Sequence, residues 1–194
     1  MSYRTATNIL IGAGALALSL AVAPAAGASA PSAHQRTVLA TTTLYYDDSQ
    51  AAEFKSAVVA SAQVWNSSVQ NVRLVEAASG ASAQIRIVAF DGWPQSTLGP
   101  VRTGGHGTVW FGREAVNEGY NTTRIAAHEL GHILGLPDNK PGPCSSLMSG
   151  STGGVSCTNA TPNASERSAV EADYAGSAAM AAAPLDRGVV ADTP

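Results

Sequence analysis

Two histidines four residues apart, with a glutamate beside the first, sit in AAHELGHILGLPD, residues 126–138, and no other stretch restricts the fold as tightly. Residues i and i+4 share one face of an α-helix, so His128 and His132 can point both imidazoles at a single ion. Glu129 is turned about 100° from His128 by the helical period, which places it beside that ion rather than on it. Gly135 can take a positive φ at low cost, turning the chain so that Asp138, beyond Pro137, comes back to the same ion. His128, His132 and Asp138 are therefore the expected ligands of one Zn2+, and three protein ligands with an open fourth position describe a catalytic site. An alternative keeps the two histidines and takes Glu166 or Glu171 as the distal ligand, leaving Asp138 structural.

The open position sets the expected chemistry. Zinc lowers the pKa of a bound water from about 15.7 toward about 7 and polarises a carbonyl. Glu129 is the expected base, taking the proton of the attacking water and delivering it to the leaving amine. The rival from another class, a secreted zinc-scavenging or binding module, has no need of a base beside a full ligand set.

The whole chain sets outer bounds. At 194 residues, 45% hydrophobic and 13% charged, it has room for one core plus a processed leader. A net charge of −3 gives no basic surplus for nucleic acid or an anionic membrane, and neither is an expected partner. Arg4 precedes the apolar run NILIGAGALALSLAVA and then PAAGASA, so residues 1–28 read as a secretory signal peptide cut after Ala28. Residues 29–40 read as a short pro-segment or N-terminal extension, and the product is expected outside the cell. In that oxidising compartment Cys144 and Cys157, within a Gly, Ser and Pro-rich loop, read as a disulfide.

Along the chain, VLATTTLYY (38–46) reads as a strand, with Asp47, Asp48 and Ser49 as caps for a helix from Gln50 to about Trp65. NVRLVEA (71–77) and AQIRIVAF (83–90) alternate as half-buried strands. STLGPVRTGG (96–105), if a strand, is confined by Pro100 to a sheet edge, where an extended peptide can add as a further strand. HGTVWFG (106–112) reads as a more central strand, with His106 as a turn residue. The motif helix is expected from Asn121 or Thr122 to about Leu134. A last helix spans about 164–175, with Asn163 and Glu166 spaced as a capping box. Residues 177–194 give no clear core face and read as a flexible C-terminal tail.

The pattern H-E-x-x-H-x-x-G-x-x-D, followed by the methionine of CSSLMSG, resembles the metzincin clan, and its aspartate-ended form is similar to the snapalysin family of small secreted bacterial neutral metalloendopeptidases. QVWNSSVQNVRL (63–74), TRIAAHELGHILGLPD (123–138), GPCSSLMSG (142–150) and SCTNATPNASERSAV (156–170) carry the likeness, which covers about residues 41–176. It implies an α+β domain with a mixed sheet of about five strands, an antiparallel edge strand and three helices. It also implies a zinc endopeptidase whose ligands are His128, His132 and Asp138, whose base is Glu129 and whose Cys144 pairs with Cys157. Met148 would be the Met-turn residue, an apolar floor under the ligands. A preference for an aromatic residue on the primed side of the cut follows from the same likeness, with a pocket lined by the segment after Met148. The expected partners are an extended polypeptide substrate and a proteinaceous inhibitor, and the chain is expected to act as a monomer.

Two positions depart from the pattern. The family's Ca2+ site uses an Asp and a Thr before the active-site helix, matching Asn121 and Thr123 here, and loss of the carboxylate weakens a site for a hard dication. Some metzincins place a zinc-facing tyrosine two residues after the methionine, where this chain has Gly150. Asn139 and Lys140 are then the candidates for stabilising an oxyanion.

Overall fold

The computed structural model describes residues 40–176 and 188–193. The leader, the extension up to residue 39 and residues 177–187 lie outside them.

The architecture is α+β. Strand β1 (Thr42–Gln50) leads through a 3-10 turn at Ala52–Phe54 into helix α1 (Lys55–Ser68), followed by β2 (Val72–Glu76), β3 (Ile85–Phe90), β4 (Gln95–Thr97) and β5 (Gly107–Gly112). Helices α2 (Arg113–Asn117), α3 (Thr122–Ile133) and α4 (Ala164–Tyr174) come next, then strand β6 (Val189–Ala191). The sheet has six strands in the order β2-β1-β3-β5-β4-β6. The β1–β2, β1–β3 and β3–β5 pairs are parallel, whereas β4 runs antiparallel to both β5 and β6.

Alternation decides which face is covered. Leu44 and Tyr46 of β1, Ile85 and Ile87 of β3, and Val109 and Phe111 of β5 are all buried, while Tyr45 between the first pair is 43% exposed. Against the buried side lie Val58, Ala62 and Trp65 from one stripe of α1, and Leu130 and Ile133 from α3. Fully burying side chains of this size contributes about 1.5–3 kcal/mol each. Trp65 also meets its polar requirement: its indole N–H donates to Ala127 O at 2.9 Å, tying α1 to the middle of α3.

Several boundaries differ from the sequence reading. Asp47 does not cap a helix; its Oδ1 accepts from the Ser49 N–H at 2.9 Å, closing a local turn while the strand continues to Gln50. The short β4 precedes Pro100, and α2 is a helix of five residues with no periodic signal. The reading of 177–194 as a flexible tail is corrected for residues 188–193. Val189–Ala191 pair with β4, because β4 offers an unpaired edge that three residues can satisfy by backbone hydrogen bonds alone. Among the described residues the sheet has six strands, in keeping with the expected number of about five, and β6 rather than β4 lies outermost on the antiparallel side.

Candidate metal centre

Helix α3 starts where Asn121 Oδ1 accepts from the Arg124 N–H at 2.9 Å, so this oxygen of the expected calcium pair serves as a helix cap, with Thr123 in the first turn. From Arg124 to Ile133 every residue of the helix is buried. The helix closes in a Schellman motif: Gly135 has φ 110°, its N–H donates to His132 O, and the Leu136 N–H donates to Gly131 O. That turn sends the chain back through Pro137 to Asp138.

His128 and His132 stand one turn apart with ring centroids at 4.6 Å and planes nearly perpendicular. Each ring has a carbonyl at its Nδ1: Leu147 O at 3.0 Å from His128 and Leu136 O at 2.7 Å from His132. A carbonyl can only accept, so the network assigns a hydrogen to Nδ1, and in the neutral ring the lone pair lies at Nε2. Asp138 Oδ1 lies 3.3 Å from His128 Nε2 and 3.5 Å from His132 Nε2. The three residues each place a ligand atom within 4.8 Å of the others, and these three atoms are buried without a hydrogen-bond partner.

Such a set fits a zinc-sized ion. Donors held about 2.0–2.1 Å from a tetrahedral centre stand roughly 3.3–3.4 Å apart, close to the observed spacing of Asp138 from both imidazoles. The carbonyls on the far nitrogens supply the outer shell that orients histidine ligands.

Glu129 is fully buried beside this cluster. Its Oε2 accepts from Ser96 Oγ of β4 at 2.6 Å, while Oε1 has no partner. Burial pushes the carboxyl up to about 8, against the opposing pull of His128. One oxygen is thus held and the other is free beside the converging lone pairs.

Met148 lies in the turn Leu147–Gly153 and is 1% exposed. A Cβ at Gly131 would come within 2.6 Å of Met148 Sδ, so the thioether packs directly under the helix between the two histidines. Glu166 builds that turn. Its Oε1 accepts from Ser146 Oγ at 2.7 Å and the Met148 N–H at 2.9 Å, and its Oε2 accepts from the Asn163 N–H at 2.6 Å within the capping box. Glu171 accepts from the N–H groups of Gln70 and Asn71. Neither carboxylate belongs to a ligand-type cluster with His128 or His132. The Cys144–Cys157 disulfide is formed in the loop around this turn.

Three neighbours, Ser96, Arg124 and Asp192, carry no signal in the sequence. Arg124, 3% exposed, donates to Asn159 O at 2.6 Å, Ser146 O at 3.0 Å and Ser149 Oγ at 2.8 Å, and so fastens the turn to α3. Asp192, just beyond β6, places Oδ2 at 3.7 Å from His128 Nε2 and forms an ion pair with Lys140. Asn139 donates its N–H to Met148 O at 2.7 Å and its amide to Ser146 Oγ at 3.2 Å, so it is part of the turn, while Lys140 lies 3.7 Å from Asp138 Oδ2. His106 precedes β5 and is not in either buried cluster of ligand-type side chains.

A mixed sheet crossed by a histidine-bearing helix, with a glycine turn returning an aspartate and a methionine turn beneath, defines a protein of the metzincin class. Within that class the chain belongs to the Streptomyces extracellular neutral proteinase (M7) family, whose profile matches residues 41–177. It is 48% identical over 132 residues to the extracellular small neutral protease of Streptomyces lividans, covering 68% of this chain and 56% of that protein. To the protein of the same name from Streptomyces caespitosus it is 46% identical over 136 residues, covering 70% of this chain and 98% of that one. The chain therefore spans little more than half of the S. lividans relative and nearly all of the S. caespitosus one. Among solved structures it is similar to high choriolytic enzyme 1, a hatching enzyme zinc-protease from Oryzias latipes, with a TM-score of 0.37 and 23% identity over 50% of this chain and 44% of the other, a likeness too partial to define either fold or function.

Proposed function

We propose that this chain is a secreted zinc endopeptidase, with residues 1–28 as its leader and 41–176 as its catalytic domain. The observation that carries the reading is the convergence of three buried, partnerless atoms, His128 Nε2, His132 Nε2 and Asp138 Oδ1, beside the free Oε1 of Glu129. One zinc ion is the metal inferred; when bound, it supplies a Lewis acid that acidifies a water and polarises a carbonyl. The names of the relatives as extracellular neutral proteases support both the location and the reaction class.

The chain's own groups then have distinct tasks. His128 and His132 present lone pairs because their opposite nitrogens donate to Leu147 O and Leu136 O. Glu129 takes a proton at Oε1 as water attacks the scissile carbonyl and delivers it to the nitrogen of the leaving amine, so one water and one peptide bond become a carboxyl group and an amine. Ser96 holds Oε2 and fixes which oxygen faces the reaction.

We further propose that the primed side prefers an aromatic residue. A small recess beside His128 is lined by Trp93, Tyr120, Ile125 and Ser151, with the charged Arg124 and Asp192 also on its surface. Trp93 and Tyr120 meet edge to face with centroids 5.9 Å apart, an arrangement that a third ring can extend.

The test is digestion of a peptide library by the purified chain, with and without a chelator, alongside metal analysis. Cleavage that a chelator abolishes and zinc restores, with aromatic residues following the cut, is the expected outcome. Chelator-resistant cleavage, or intact peptides in the presence of stoichiometric zinc, would overturn it.

A further inference from the structure

Strand β6 lies where a substrate of such a site has to lie. It adds antiparallel to the free edge of β4 with Thr97 opposite Val189, Ser96 opposite Val190 and Gln95 opposite Ala191. The Leu98 N–H donates to Gly188 O at 3.0 Å, and the Asp192 N–H donates to Pro94 O at 2.8 Å. The residue at the centre of this ladder, Ser96, is the one that holds Glu129. Strand addition to an open edge is a general way of seating an extended peptide, the backbone supplying affinity and alternate side chains supplying selectivity.

Beyond Ala191 the segment leaves the ladder and crosses to the opposite wall. Thr193 O accepts from Ser151 Oγ at 3.1 Å and from Lys140 Nζ at 3.3 Å. Between the two walls Asp192 is 6% exposed, and its carboxylate forms a ligand-type cluster with His128 and Glu129 whose atoms lie within 4.8 Å of one another. Room for it depends on residue 150 being glycine, since a Cβ there would come within 2.2 Å of Asp192 Oδ1. Asp192 also lines the recess walled by Trp93 and Tyr120.

We propose that residues 188–193 are a built-in inhibitor, a strap that occupies the peptide-binding groove along β4 and presents the Asp192 carboxylate to the metal centre. The inference rests on the endopeptidase reading. The strap is held by polar rather than apolar contacts. Val189 is 55% exposed and β6 contains no fully buried side chain, so apolar burial contributes little. Its occupancy comes instead from the ladder, the Lys140 pair and the covalent tether through residues 177–187, which sets a high local concentration. A strap of this kind lowers activity without abolishing it, and weakening either anchor releases it.

The test uses the full zinc-loaded chain. Asp192→Asn removes the charge, and adding Val190→Pro places in β6 a residue that cannot donate to a ladder. The double variant is expected to show kcat/KM on a fluorogenic peptide about tenfold above the parent, the order of gain that loss of a tethered competitor allows. Asp192→Asn alone should fall between, zinc content should be unchanged, and the Leu98 amide should lose protection against hydrogen exchange. The synthetic peptide RGVVADTP, residues 187–194, should inhibit the double variant when added in trans. With Glu129→Gln added to block turnover, the labelled peptide should bind the triple variant and not the parent carrying Glu129→Gln alone. Equal kcat/KM across the variants, or a peptide that neither inhibits nor binds, overturns the strap. Binding with no cleavage by any form overturns the endopeptidase reading and leaves the strap in place.

Discussion

The carboxylate of Glu166, at the start of α4, holds the backbone nitrogen of Met148 at 2.9 Å, and through it the floor beneath the two histidines. The same carboxylate takes hydrogen bonds from Ser146, Leu147 and Asn163. Glu166→Ala leaves these buried donors without a partner, at about 1–3 kcal/mol for each that water cannot reach. The expected result is a loss on the order of 3 kcal/mol in unfolding free energy with the zinc stoichiometry retained. Asp138→Ala should act on the metal instead, abolishing zinc retention. Denaturant melts paired with metal analysis separate the two, and zinc loss from Glu166→Ala with retention in Asp138→Ala would make Glu166 the distal ligand.

Ser96→Ala isolates the hydrogen bond that fixes Glu129. A hydrogen bond to a charged group contributes about 1.5–3 kcal/mol, so kcat should fall by about tenfold to a hundredfold if the contact persists in the transition state. Zinc content and KM should change little, because Ser96 touches no ligand. A variant with unchanged kcat would show that Glu129 is positioned by its burial alone.

How the centre was legible from sequence is explained by where its constraints lie. His128, Glu129 and His132 are ordered by the period of one helix, and Gly135 and Asp138 by one turn, so a span of local backbone encodes all five residues. The capping box at Asn163 and Glu166 was readable for the same reason, but not its second use beneath Met148, which joins segments distant in sequence. Ser96 and Asp192 sit in or beside strands of three residues, too short for a period-two signal. Their roles come from pairing across the sheet. Arg124 was silent for another reason: a basic residue in the first turn of a helix reads as solvated, yet here its charge is buried against carbonyls of the methionine turn. The missing strand reflects the same limit, since Val189–Ala191 has little apolar burial of its own and exists as structure only against β4.

Gly99→Ala is expected to damage the join between the sheet and the end of α3. The Gly99 N–H donates to His132 O at 2.8 Å, and an added Cβ would lie 2.0 Å from Ile133 O, a backbone atom that cannot swing aside. Relief requires moving the helix terminus or the loop, and overpacking of this kind costs about 1–3 kcal/mol, with more where backbone must shift. Because His132 and the Gly135 turn share that terminus, zinc affinity should fall together with the melting temperature. A variant with wild-type stability would mean that the loop from Leu98 to Val101 is free to shift.

Acidity should control how tightly the centre takes its ion. In the metal-free chain burial alone would lower the pKa of His128, but the neighbouring carboxylates of Asp138, Asp192 and Glu129 outweigh it and raise it to about 9. His132 moves the other way, below the usual imidazole range, through burial and then repulsion by His128. The two shifts oppose each other, so His128 is the ring that holds a proton most firmly in the metal-free chain. A histidine ligand must be neutral, so zinc uptake expels that proton at any pH below about 9. The sign for the metal-free fold is fixed by the raised value: the contribution is full below the unfolded value of 6.5 and is lost as pH climbs through about 9. The zinc-loaded fold, whose imidazoles are neutral, has no such loss over this interval, and affinity should rise about tenfold per pH unit until His128 is neutral. At fixed free zinc, the difference in melting temperature between loaded and metal-free protein should widen from about pH 6.5 to about pH 9. Calorimetric titration in two buffers of different ionisation enthalpy should count about one proton released per zinc near neutral pH. An affinity that stays flat across this range would mean that the Asp138 carboxylate, rather than an imidazole proton, is what the incoming ion meets.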